Sequence, residues 1–406
     1  MKIAILGGLG MEGQALLKYL KKHDQKADIT LLDQKLDPNY LSNLEQFDLV
    51  YRSPGVLYNL PEIQKAIRKG VKFSSPTNLF FEKAKGKVIG ITGTKGKGTT
   101  TKLIYEILKS AGLEVYLGGN IGEPATGLLD QLTDNSITVL ELSNVQLWDV
   151  KHSPHIAGVL GIFPDHLDWH KNFREYLGTK FGITKFQNAN DFVFYIQDDK
   201  FSKKVAKKSK GQKIAVDYRS IKIPLTIPGE HNRKNAAMAA AICAHVGVKP
   251  EIILETIKNY KGLPYRLTKV DTKKGITYYN DSASTNPQTV CAAVRAFPEK
   301  QKILITGGSD KGLDYKPLGD TLENEKDIKL VILYGANRQK IKDALEKVTP
   351  IKVISGSLKE VIQLASTQAS EGDIVIFSPG SASFDMFANY KERGEAFDKI
   401  VKNIKD

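Results

Sequence analysis

The stretch that most constrains this chain is Val88–Leu103, "VIGITGTKGKGTTTKL". A short apolar run enters a glycine-rich turn. Helical periodicity then begins, with Leu103, Ile104, Ile107 and Leu108 on one face. We expect a strand at 88–92 and a helix that opens at Thr99–Thr101 and ends at Gly112. Backbone N–H groups of such a turn, together with the helix N-terminus, attract phosphate. Gly93, Thr94, Lys95, Gly96, Lys97, Gly98 and Thr99 are therefore candidate ATP contacts, with Lys97 able to neutralise the γ-phosphate. The loop has one oddity. A hydroxyl usually follows the loop lysine directly. Here Gly98 follows Lys97, and the hydroxyls come one residue late, at Thr99, Thr100 and Thr101.

The rest of the chain repeats the same alternation. Strand-like runs stand at "KIAIL", "ITLLD", "FDLVYRSPG", "ITVLELS", "IAGVLGI", "DFVFYI", "ITYYNDSAS", "KILITGG", "LVILYG" and "DIVIFSPG", with helical patterns between them. Strands alternating with helices imply parallel sheets with helices on both faces. The expected class is α/β with three domains, near 1–85, 86–267 and 268–406. The 406 residues carry a formal charge of +14, which calls for polyanionic partners. The basic side chains are scattered, and the densest run, 203–213, has no interleaved aromatics, so it reads as a solvated face rather than a nucleic-acid surface. Two cysteines are too few for a disulfide framework and fit a reduced, cytoplasmic protein. No apolar run reaches the roughly 18 residues a membrane span needs, and the N-terminus reads as a strand rather than a signal peptide.

Several further stretches could carry chemistry. "GLGMEG" at 8–13 follows the first strand, with Asp33 about 20 residues on, as in a dinucleotide turn. A second nucleotide-diphosphate site, built on Gly8, Gly10 and Gly13, fits better beside an ATP loop. Glu141 leaves a strand near the phosphate loop, where a Mg²⁺ ligand would sit. In "FPDHLDWH", Asp165, His166, Asp168 and His170 lack a standard zinc spacing; His166 suits Mg²⁺ and His170 a structural role. Lys180 on its own reads as a solvated helix lysine. Asn232 and Asn235, three apart, share a helix face and could hold a base or cap a helix.

The order of "GTKGKGTTT", "GGNIG", "LELSNVQL", "FPDHLDWH", "GEHNRKN", "LPYR", "NDSASTN", "GGSDKGLDY" and "SPGSASFDMFANYKERG" resembles the Mur ligase family over nearly the whole chain, most strongly from residue 88 onward. That family tolerates Gly after the loop lysine. The resemblance implies a Rossmann-like N-terminal domain for UDP, a central P-loop ATPase and a Rossmann-like C-terminal domain for the amino acid. It implies an ATP-dependent amide ligase working through an acyl phosphate, in peptidoglycan precursor synthesis. The implied substrates are UDP-N-acetylmuramoyl-L-alanine and D-glutamate; a folylpolyglutamate-type or other Mur-type acceptor is the alternative. The resemblance also implies a monomer and two Mg²⁺ sites. Position by position, it implies Thr99, Glu141, His166 and a CO₂-derived carbamate on Lys180 as metal ligands, and Asn120 beside the reacting phosphate. Asn232, Asn235, Arg266 and Asp281 resemble ATP contacts. Gly8, Gly10, Gly13, Asp33 and Gly55 of the "SPG" turn lie on the UDP side, and Ser143 and Gln146 at the muramoyl-alanine arm. Thr285, Lys311, Ser383 and Phe384 resemble the amino-acid site. Two departures stand out. Ala283 replaces the family's usual lysine, and "KFSSPTNLFF" replaces its usual "GEIE" pattern.

Overall fold

A computed structural model describes residues 1–166, 169–222, 225–345 and 350–405. Asp168, one of the residues weighed for zinc above, lies outside them. Among the described residues sixteen strands form three sheets. The first contains β1 (Lys2–Leu6), β2 (Asp28–Leu32), β3 (Leu49–Arg52) and β4 (Lys72–Ser74), in the order β2-β1-β3-β4, all parallel. The second contains β5 (Lys87–Thr92), β6 (Val115–Gly119), β7 (Ile137–Glu141), β8 (Ile156–Val159), β9 (Phe192–Ile196) and β10 (Gln212–Val216), in the order β10-β9-β8-β5-β7-β6, again all parallel. The third contains β11 (Thr268–Lys273), β12 (Ile276–Asn280), β13 (Lys302–Gly307), β14 (Ile328–Tyr334), β15 (Ile351–Val353) and β16 (Ile374–Phe377), in the order β11-β12-β16-β13-β14-β15. Its edge strand β11 runs antiparallel to β12, so this sheet is mixed. A purely parallel sheet was expected there. The tight turn at Gly275, which has φ +73°, reverses the chain after β11 instead of sending it through a crossover helix.

The apolar runs of the central strands are continuous because both faces are covered. In the third sheet Leu304, Val331, Leu333 and Ile376 enter one core, while Ile303, Ile305, Ile332 and Phe377 enter another. That is the period of two expected when each face carries helices. The chain falls into two compact units, Met1–Pro224 with Arg233–Asn259, and Leu225–Asn232 with Tyr260–Asp406. The first holds two sheets and the second holds one. Among the described residues no helix is long and apolar enough to cross a membrane.

Candidate active site

The helix after β5 spans Lys97–Ser110, opening two residues earlier than expected. Lys97 is thus its first residue. Its Nζ donates to the carbonyls of Gly93 (3.2 Å) and Thr94 (3.0 Å), folding the side chain back over the loop. Gly96 takes the left-handed conformation, φ +85°, at the N-cap. A side chain there would collide with the amide of Asn235, which packs on the loop from the helix Glu230–Val246. Asn235 is therefore packed against the phosphate loop.

Lys180 departs most from its reading as a solvated lysine. It closes the helix Phe173–Lys180 and is 1% exposed. Its Nζ donates to Gly93 O at 3.0 Å and lies 4.7 Å from the centre of the Tyr176 ring. Burial, then the neighbouring Lys97 charge, pushes its pKa far below the ordinary lysine range, while Asp165 opposes the shift. Tyr176 also donates to Thr94 Oγ1 at 3.1 Å, so one helix grips the loop twice.

Four strand ends meet around this loop. Thr92 pairs with Val159 of β8, and Ile91 with Glu141 of β7. The order β8-β5-β7 puts the loop at a topological switch point, on the carboxyl edge where open α/β sheets bind ligands. Glu141 is buried, and its Oε1 accepts from Asn120 Nδ2 at 3.0 Å. Asn120 follows β6, and its N–H bonds Glu141 O. His166 follows β8 with an exposed side chain and φ +53°, a strained backbone for a residue without a glycine's freedom. Burial raises Asp165, but Lys95, with Nζ 3.1 Å away, and His166 hold it below its ordinary range overall. His170 is buried, with its Nε2 2.7 Å from Asn144 Nδ2, in keeping with a structural role. Among the described residues no three His, Cys, Asp or Glu side chains form a metal cluster. Thr99, in the first turn of the helix after β5, and Glu141, at the end of β7, offer oxygen ligands, which suits a hard cation such as Mg²⁺.

In the first sheet, Asp33 accepts from Leu9 N (3.1 Å) and Lys35 N (3.1 Å), bracing the glycine turn. Gly13 is required by packing, since a Cβ there would press on Gly7 O and Gly8 Cα at 2.7 Å. Gly55 is exposed at the tip of its turn. Ser143 donates from N and Oγ to Gln146 Oε1 at 2.9 Å each. Sequence reasoning missed Arg52, which is 1% exposed. It grips Asp149 with two hydrogen bonds, Nε–Oδ2 3.0 Å and Nη2–Oδ1 2.6 Å, and donates to Val56 O and Val145 O. It thereby ties the "SPG" turn to the segment carrying Ser143 and Gln146. An arginine closing an apolar strand, "LVYR", was the available signal.

In the second unit, Asn232 donates to Pro228 O at 2.7 Å. Arg266 is exposed between Tyr265 and Leu267, which both have positive φ. Asp281 accepts from Leu267 N (3.1 Å) and Ser378 Oγ (2.7 Å), so it holds that kinked segment. Burial raises its carboxyl to about 7 against these bonds and Arg266. β12, β16 and β13 are neighbours, so Thr285, Ser383 with Phe384, and Lys311 follow adjacent strand ends. Lys311 Nζ lies 5.7 Å from the centre of the Phe384 ring, which is 70% exposed. Ser383 is buried, and its carbonyl takes the N–H groups of Met386 and Phe387. Buried Arg393, also missed, donates to Ser282 O, Ser381 O and Ala382 O, clamping two of these loops.

The Mur ligase middle domain matches residues 91–216, and the Mur ligase glutamate ligase domain matches residues 265–380. The chain is 36% identical to the UDP-N-acetylmuramoylalanine--D-glutamate ligase of Aquifex aeolicus, over 98% of each chain. It is 32% identical to that of Ruminiclostridium cellulolyticum, over 100% of this chain and 97% of the relative. The UDP-N-acetylmuramate-alanine ligase structure from Thermotoga maritima shares the fold, with a TM-score of 0.62 at 18% identity over the whole of both chains. The phosphate loop at the switch point, the match of both domains and full-length identity above 30% agree, and this chain belongs to the Mur ligase family.

Proposed function

We propose that this protein is an ATP-dependent ligase that joins D-glutamate to UDP-N-acetylmuramoyl-L-alanine, a step of peptidoglycan precursor synthesis. The observation that carries the reading is the full-length likeness to relatives named for that reaction. The L-alanyl carboxylate is a poor acyl donor. It attacks the γ-phosphorus of ATP, ADP leaves, and an acyl phosphate forms. The amine of D-glutamate then attacks the acyl carbon, and a tetrahedral intermediate expels phosphate.

Lys97, with Gly93, Thr94, Lys95, Gly96, Gly98 and Thr99, receives the ATP phosphates, and Asn120 sits beside the transferring group. Asn232, Asn235, Arg266 and Asp281 complete the ATP contacts. Mg²⁺, in two sites served by Thr99, Glu141, His166 and Lys180 as a carbamate, supplies charge neutralisation when bound. Burial pushes the Lys180 pKa well below the ordinary lysine range, which favours the uncharged amine, and an uncharged amine adds to CO₂: an N–C bond forms, a proton leaves, and an anionic ligand results. Gly8, Gly10, Gly13, Asp33, Gly55, Ser143 and Gln146 hold the nucleotide sugar. Thr285, Lys311, Ser383 and Phe384 hold D-glutamate. The domains run 1–85, 86–267 and 268–406, and the enzyme works as a cytoplasmic monomer. Phosphate release from ATP with UDP-N-acetylmuramoyl-L-alanine, with D-Glu, L-Glu, L-Lys and meso-diaminopimelate offered in turn, tests the reading. Release that depends on D-Glu is expected; release with another amine alone overturns the acceptor.

A further inference from the structure

One acidic side chain at the first glycine turn has no part in the chemistry above. Glu12 is the second residue of the helix Met11–His23, directly after the turn. Its Oε1 accepts from Gln146 Nε2 at 3.1 Å, and Gln146 Oε1 is occupied by Ser143. Its Oε2 is shut off from solvent and has no hydrogen-bond partner among the described residues. A buried anionic oxygen without donors is costly, whereas a neutral carboxyl offers a proton in search of an acceptor.

The charged groups around Glu12 do not relieve that cost. The elements packed against its helix bring Lys2 of β1, Glu82 and Lys83 from the helix Pro76–Lys83, and Asp130, which pairs with Lys22 and His23 near the helix end. The turn adds Asp33, and the ends of β7 and β3 add Glu141 and Arg52, the latter paired with Asp149. None is an ion-pair partner of Glu12 among the described residues. Burial accordingly raises its carboxyl to about 7, against the opposing hydrogen bond from Gln146.

A glycine turn entering a helix presents N–H groups to an anion. A diphosphate diester there is anionic and can only accept hydrogen bonds. An ionised Glu12 would repel it, while a neutral one can donate to it. We propose that Glu12 is a binding residue of the nucleotide-sugar site that acts as a neutral acid, giving its Oε2 proton to a diphosphate oxygen while Oε1 holds Gln146 in place against Ser143. The inference rests on the nucleotide-sugar reading of this turn. It adds a proton to the binding equilibrium, so the complex forms with proton uptake wherever free Glu12 is ionised.

The test is calorimetric titration of the full chain with UDP-N-acetylmuramoyl-L-alanine, without ATP, at about pH 6 and about pH 8.5. The ligand's diphosphate diester and carboxylate do not titrate in this interval, so the pH dependence belongs to the protein. Wild-type affinity should fall at least about tenfold between the two, since each pH unit above the free pKa removes up to about tenfold. At the higher pH the apparent enthalpy should change with the ionisation enthalpy of the buffer, reporting proton uptake. Glu12→Gln keeps the shape and a donor, so it should bind at both pH values within about threefold of the wild-type value at the lower one. A flat wild-type profile without proton uptake overturns the proposal, as does an equal pH slope in Glu12→Gln. Absence of wild-type binding at either pH overturns the nucleotide-sugar reading itself.

Discussion

An amine taken out of water holds its proton less tightly, and Lys180 is the clearest case in this chain. The unfolded chain would bind a proton up to the ordinary lysine value of 10.5, whereas the folded chain refuses it until well below that. Between those two values the unfolded state holds more protons, so folding stability falls as pH drops. Lys180→Met should flatten that slope in denaturant titrations run in CO₂-free buffer, and it should abolish ligation. A retained slope would mean that another group is responsible, and retained ligation would return Lys180 to a packing role. Lys97→Ala should lower turnover by about 10²–10³ at saturating ATP, the usual loss for one electrostatic contact to a transition state; near-normal turnover would remove Lys97 from the γ-phosphate. The two lysines differ in legibility. Lys97 announces itself by its place in a glycine turn. Lys180 does not, because its burial depends on Gly93 arriving from another part of the fold.

At the scale of elements, the strands that escaped the sequence reading share one property. β4, β6, β10, β11 and β15 each lie at the edge of a sheet. Edge strands have fewer neighbours and need no continuous apolar run; β15, Ile351–Val353, is half-buried to exposed, and β10 buries only its last residue. The interior strands were legible because burial on both faces writes a run of Val, Ile and Leu. The loops that follow those strands are held by buried arginines, a long-range feature with no local signature. The Arg52–Asp149 pair lets us test this. Leaving one partner of a buried ion pair alone costs about 3–5 kcal/mol, and this pair also fixes the turn at 53–56 and the segment at 145–149. Asp149→Asn should therefore lose stability of that order by urea unfolding. It should also raise the KM for UDP-N-acetylmuramoyl-L-alanine more than the KM for ATP. A destabilised variant with both constants unchanged would make the pair a structural tie alone.

At the scale of the whole molecule, three sheets present carboxyl edges, and the proposed function has three anionic substrates. A net charge of +14 suits such a load without nucleic acid, and the lysine-rich run at 203–213 keeps its lysines exposed. This organisation was legible from the order of motifs. The run of strand ends in the third sheet was legible from spacing, since β12, β16 and β13 are adjacent, while the clamp by Arg393 was not. If each sheet serves one substrate, variants should separate the constants. Asp33→Ala loosens the turn that Asp33 braces through Leu9 N, so it should raise the KM for UDP-N-acetylmuramoyl-L-alanine and leave that for ATP within about twofold. D-Glutamate carries two carboxylates and needs cations. On the proposed reading, with Ala283 in place of a lysine, Lys311 would carry more of that charge, beside the exposed Phe384 ring. Loss of one charge-assisted contact costs about 1.5–3 kcal/mol, so Lys311→Ala should raise the KM for D-Glu by at least about tenfold while the constants for ATP and the nucleotide sugar change far less. Steady-state phosphate release with each substrate varied in turn measures all three. An unchanged D-Glu constant in Lys311→Ala would take the amino acid away from the carboxyl edge of β13, and a parallel rise in all three would show that the sheets do not divide the substrates.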